Sequence, residues 1–182
     1  MSNKVFWGII IALIGGFVLF TAVGDKSNKP TRDSIGAIPG VRENVKQDNK
    51  HVQGTVNYPD SPPMGGNHNP VWAGCDQKVY DMPLQTENAV HSLEHGAIWI
   101  TYTAALEKSQ VDLLKAKVAS APATFMSPFP QQKSPLVLTS WGRQLELTDA
   151  KDSRIDQFIT KYRKSADAPE PGATCASPQS GM

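Results

Sequence analysis

An excess of either charge is missing from this sequence: 18 Lys and Arg stand against 17 Asp and Glu over 182 residues, and no run of like charge makes a local stripe. Nothing here would gather a polyanion, so no nucleic-acid partner is expected. Familiar nucleophile architecture is missing too. There is no Gly-x-Ser-x-Gly string and no phosphate-cradling glycine loop, and neither cysteine has a histidine or a helix start beside it. Covalent catalysis and nucleotide chemistry therefore lack a starting residue. Cysteine itself is scarce. The pair Cys75 and Cys175 fits one disulfide in an oxidising compartment as well as it fits two buried thiols. If joined, the two close a loop of about 100 residues, which the chain-entropy picture values at about 4.7 kcal/mol.

Long hydrophobic runs are absent but for one. Residues 5–23, VFWGIIIALIGGFVLFTAV, carry no charge and as a helix would cover roughly 28 Å of a hydrocarbon core near 30 Å. A signal peptide has an apolar stretch of only about 7 to 15 residues, so an uncleaved single-pass anchor over residues 1–24 is the expectation. Its orientation is contested: Lys4 precedes the run while Lys26, Lys29 and Arg32 follow it, which taken literally puts the rest of the chain in the cytoplasm. Residues 25–50 turn to Lys, Asn, Asp, Gly and Pro with isolated apolar positions and read as a flexible tether. One globular domain is expected over 51–175, with a disordered tail over 176–182.

Within the domain, 51–58 reads as a short strand and 59–70 as a turn region containing Pro62-Pro63 and Gly65-Gly66. A short helix is expected over 87–95, with Thr86 capping its start and Gly96 just past its end. The β-branched and aromatic run 97–103 follows as a buried strand. Val111, Leu114 and Val118 mark an amphipathic helix over 109–119 behind a Ser109 cap. Residues 136–141 and 144–147 flank Gly142-Arg143 as a hairpin, and Ile155, Phe158, Ile159 and Tyr162 mark a last helix. The expected class is α+β: a small, mostly antiparallel sheet covered by helices on one side.

Histidine is also sparse, and its placement is the main clue. All four, His51, His68, His91 and His95, lie between residues 51 and 95. His91 and His95 fall within about 40° of each other on the expected helix, opposite Ala89, Val90 and Leu93, so the pair faces either water or a site roofed by another segment. Two imidazoles on adjacent turns can serve one metal ion. The expected third ligand is His68, in the rigid PPMGGNHNP turn, and Met64 and Met126 are optional thioether donors. A His and Met set favours copper, particularly Cu(I), over zinc, although both methionines also fit the role of core filler. His51 lies outside this constellation. Glu94 completes an H-x-x-E-H string, the letters of a zinc hydrolase motif in which the carboxylate activates a metal-bound water, but no acidic third ligand follows downstream. The competing reading is a non-catalytic interaction module of an envelope or membrane-protein complex, in which the histidines only hold a loop against the helix.

The strings HVQGTVNYPDSPPMGGNHNPVWAGC and VYDMPLQTENAVHSLEHGAIWITY, with the MSPFP loop, SPLVLTSWGRQL and the late PEPGATC, resemble domain-of-unknown-function family 3105 over about residues 38–175. The resemblance implies single-pass bacterial membrane proteins with one extracytoplasmic domain and no assigned activity. It also implies that His68, His91, Glu94 and His95 belong to a recurrent motif and that Met126 lies in a recurrent loop. An outward-facing domain makes the Cys75–Cys175 disulfide the expectation. It also overrides the basic residues after the anchor, because whole domains translocate largely regardless of charge.

Overall fold

The computed structural model describes residues 29–177; the anchor expected over 1–24 and most of the tail expected over 176–182 lie outside them. Among the described residues no helix is long and apolar enough to cross a membrane. In chain order the elements are β1 (Val41–Glu43), β2 (Lys78–Val79), α1 (Thr86–Glu94), β3 (Ile98–Tyr102), α2 (Lys108–Ser120), β4 (Thr124–Pro128), β5 (Leu136–Ser140), β6 (Arg143–Leu147) and α3 (Arg154–Tyr162).

The class is α+β, and the six strands form one sheet in the order β1-β6-β5-β3-β4-β2. The sheet is mixed, with three of its five pairings antiparallel and two parallel. β1, β6, β5 and β3 pair antiparallel in succession, whereas β4 runs parallel to both β3 and β2. The cause is the connection through α2: a strand, a helix and a second strand in one sheet return the chain in its original direction. That crossover was hidden because Thr-Phe-Met-Ser-Pro, the sequence of β4, is short and ends in proline.

Alternation along the strands sends each set of side chains to one face. Ile98, Ile100, Met126, Leu136, Leu138, Leu145 and Leu147 form one core with Leu114 and Val118 of α2 and Ile155, Phe158 and Tyr162 of α3. The other face presents Trp99 and Phe125, whose rings stack with centroids 5.8 Å apart. Ala89, Val90 and Leu93 of α1 pack on them. Helices therefore cover both faces, not one, because the period of two leaves aromatic residues on the second face that also require burial.

Local expectations meet mixed outcomes. The hairpin of β5 and β6 forms around Trp141 and Gly142, pairing Leu136 with Leu147 and Ser140 with Arg143. Thr86 and Ser109 sit inside their helices, and the N-cap positions are Gln85 and Glu107, neither making a side-chain cap bond. The strand expected over 51–58 reduces to a single parallel bridge between His51 and His68. The chain there ties to other segments instead: Tyr58 O–H donates to the Asn67 carbonyl (2.7 Å) and the Val56 N–H to the Glu87 carboxylate (2.8 Å). Part of the tether reading also gives way. Ile38 is buried in the main core, β1 extends the sheet, and Lys161 Nζ donates to the Gly36 carbonyl (2.6 Å). Ile35, Ile38 and Val41, spaced three apart, suffice to dock this stretch.

Gly142 joins the hairpin to the loops above it. Its N–H donates to the Met64 carbonyl (2.6 Å) and its carbonyl accepts from Asn44 N–H (2.8 Å). Its φ is +68°, and an added Cβ would stand 2.6 Å from Val45 Cα. Gly142→Ala is therefore expected to destabilise the domain by about 2 kcal/mol or more, from left-handed strain plus the clash. Thermal unfolding checks this: an unchanged melting temperature would mean that the turn yields freely.

Candidate metal centre

Because α1 buries Ala89, Val90 and Leu93 against the sheet, its opposite side carries His91, Glu94 and His95 toward the loops. Those loops roof it completely: His91, Glu94 and His95 are all buried. The roof is built by backbone pairing. Val52 N–H donates to the His68 carbonyl (2.8 Å) and His68 N–H to the Lys50 carbonyl (3.0 Å), which places His51 beside His68. Gly66, at φ +116°, lies against the Tyr58 ring, where an added Cβ would come within 3.3 Å of a ring carbon. Only glycine takes that conformation without strain, so the loop can fold tightly enough to bring His68 onto the helix.

One point collects four side chains. Glu94 Oε2 is 2.8 Å from His68 Nε2, 3.6 Å from His51 Nε2 and 3.9 Å from His91 Nε2. All four potential ligand atoms lie within 4.8 Å of one another. Ligands bound tetrahedrally at about 2 Å stand about 3.3 Å apart, so only small movements separate this arrangement from a coordination shell.

Ring orientation strengthens the point. His68 Nδ1 lies 2.8 Å from the Gly66 carbonyl and His91 Nδ1 2.7 Å from the Asn69 carbonyl. A carbonyl only accepts, so both Nδ1 atoms carry hydrogen and the Nε2 lone pairs point inward. Backbone carbonyls orient metal-binding imidazoles in the same way, by accepting from the ring nitrogen that does not face the ion. With Nδ1 protonated, His68 Nε2 and Glu94 Oε2, 2.8 Å apart, need either a proton or a metal cation between them. A bound cation satisfies all four groups at once. The other carboxylate oxygen, Glu94 Oε1, accepts from Asn49 Nδ2 (3.1 Å), which fixes the direction in which Oε2 points.

The expected ligands are thus only partly brought together. His68 and His91 converge, joined by His51, which sequence spacing had placed outside the set, and by Glu94. His95 is adjacent but aimed elsewhere: its Nδ1 donates to the Thr174 carbonyl (2.8 Å) and its Nε2 faces Glu170 Oε2 at 3.8 Å. Met126 is corrected outright, because it lies in the core under α2 and α3, on the other face of the sheet. Met64 is buried in the site's loop, its carbonyl bonded to Gly142. The H-x-x-E-H letters do not act as a unit: Glu94 Oε2 lies among the imidazoles of His51, His68 and His91, and His95 does not share that point with His91. The signal that could have found His51 was the confinement of every histidine to one window.

Trp72 closes the outer side, its ring centroid 5.5 Å from that of His91 and 5.1 Å from that of His95. Cys75 and Cys175 are joined, with Cα atoms 4.7 Å apart. The disulfide ties the C-terminal tail to the loop ahead of β2.

An α+β domain with three imidazoles and one carboxylate converging under a disulfide-pinned roof describes the class of this protein. The chain belongs to the family described as Protein of unknown function (DUF3105), whose model matches residues 51–177. No curated protein matches the chain, and no solved structure does.

Burial pushes the His91 imidazole down to about 4, further lowered by the His68, His95 and His51 rings and opposed by the Asn69 carbonyl; burial lowers His95 as well. An unfolded chain takes up these protons near pH 6.5 while the metal-free fold refuses them. The stabilising contribution is therefore complete above pH 6.5 and is lost as pH falls toward 4, by about 3 kcal/mol for His91 alone. Denaturant unfolding in the presence of a chelator should show this slope, and His91→Gln should flatten it. Flat stability across that window would refute the assignment.

Proposed function

We propose that this is a membrane-tethered, extracytoplasmic domain that binds one divalent transition-metal ion through Nε2 of His51, His68 and His91 and Oε2 of Glu94. The observation that carries this reading is the convergence of those four atoms, with two of the imidazoles locked by backbone carbonyls into the ligating tautomer. A set of three imidazoles and one carboxylate is borderline in softness and suits Zn(II), with Cu(II) second. The thioether argument for Cu(I) loses Met126. The apolar run at 5–23 supports the tether, and the disulfide supports an oxidising compartment.

The full chain, purified in detergent and stripped of metal, should bind about one Zn(II), read by calorimetry at pH 7. His51→Ala, His68→Ala and His91→Ala should each weaken binding tenfold or more, whereas Met126→Leu should leave it unchanged and His95→Ala should cost less than any of the three. No binding tighter than millimolar for zinc or copper would overturn the metal reading and leave an interaction module in its place. Topology has a separate check. A membrane-impermeant thiol reagent should label the chain in intact cells only after reduction; labelling that instead requires lysis would place the domain in the cytoplasm.

A further inference from the structure

The disulfide links the C-terminal tail to the loop ahead of β2, and hydrogen bonds fasten the same tail to the end of the site helix. Glu170 N–H donates to the Glu94 carbonyl (3.1 Å), Gly172 N–H to the His95 carbonyl (3.0 Å) and Lys164 N–H to the Gly96 carbonyl (2.7 Å). Glu94 ends α1 and His95 is its C-cap, so two of these are carbonyls that a helix leaves unpaired at its C-terminal end, and the tail caps α1. Tail carbonyls also hold side chains around the metal centre: Thr174 accepts from His95 Nδ1 (2.8 Å) and Ala176 from Trp72 Nε1 (2.6 Å). Cys75 N–H donates to the Cys175 carbonyl (2.9 Å). Cys75 is fully buried while Cys175 is half-buried. The tail contributes Ala168 to the smaller core on the α1 face and nothing beyond Tyr162 to the main core.

We propose that the Cys75–Cys175 disulfide is a redox latch on the metal centre, opened by a protein dithiol, so that reduction of the domain releases the bound ion. The inference rests on the metal reading above. One thiolate of the donor attacks Cys175 Sγ, the more exposed sulfur, and Cys75 leaves as a thiolate that takes up a proton. The donor's second thiol then resolves the mixed disulfide. Two electrons and two protons pass to the domain, which gains two thiols, and the donor becomes a disulfide. Beyond Ala168, which stays buried in the smaller core, the tail is then held by the packing of residue 175 and by hydrogen bonds that compete with water. Its release uncaps the turn that carries Glu94, frees the His95 ring and removes the partner that seats Trp72 over His91. Ligands that were held in place must then be ordered by the ion itself, and outer-shell losses of this kind cost 10- to 100-fold in affinity.

The test compares the oxidised full chain in detergent with the Cys75→Ser/Cys175→Ser double variant and with wild type reduced by a phosphine. Zn(II) affinity is measured by competition with a chromogenic chelator. Both opened forms should bind Zn(II) at least tenfold more weakly and release it faster, with an unchanged far-UV circular dichroism spectrum. Amide hydrogen exchange should rise at Glu170 and Gly172 but not in β3 or β5, and Trp72 emission should shift red. Zinc affinity within twofold of the oxidised chain would overturn the latch, as would exchange that rises uniformly or a lost far-UV signal, since the bond would then hold the whole domain. If the oxidised chain binds no metal, the metal reading fails, while exchange and Trp72 emission still report whether the latch opens.

Discussion

Glu94 is a carboxylate removed from water, and leaving such a group without compensating charge costs several kcal/mol. The loops above α1 answer that cost. Asn49 satisfies one oxygen and three imidazoles surround the other. Segments 49–52 and 66–69 have no long strand of their own and are held together by the short bridge between His51 and His68. Lys50 N–H donating to Asn67 Oδ1 (3.0 Å) and Tyr58 O–H donating to the Asn67 carbonyl (2.7 Å) add to that bridge. On the metal reading proposed above, a cation would draw the helix and both loops to one point.

The two faces of the sheet divide the work. Under α2 and α3 the packing is aliphatic and continuous, with Leu114, Leu138, Leu145 and Phe158 fully buried. The opposite face carries Trp99 and Phe125 as a flat platform for α1, with its own buried polar groups paired, Trp99 Nε1 to Ser127 and Gln144 to Thr139. The site thus combines side chains of a short helix seated on stacked rings with side chains of loops that carry no strand.

Periodicity made much of the fold legible: α1, β3, α2, the hairpin of β5 and β6, and α3 each showed a pattern of 3.6 or of two. β1, β2 and β4 were lost because strands of two to five residues with charged or proline positions carry no pattern of their own and exist only through their neighbours. The His91 side of α1 was readable, since the apolar residues of a helix name its opposite face. Of the two roles open to Met126, optional thioether donor or core filler, the structure shows the second. Adjacent to Phe125 in a strand it had to face the other way, but the strand itself had not been recognised. His51 joins the site through a backbone bridge to His68, a contact between residues 17 positions apart that no local spacing encodes.

The link between Cys75 and Cys175 spans a sequence separation of 100 residues, enclosing α1, α2, α3 and every strand except β1. The domain is thus nearly a closed ring of chain. A peptidase that cuts any exposed loop within that ring, such as the one between β4 and β5, produces two pieces that remain one molecule. Their ends stay at high effective concentration and the interlocked sheet can persist across the nick. Such a cleavage would mark the chain without dismantling it.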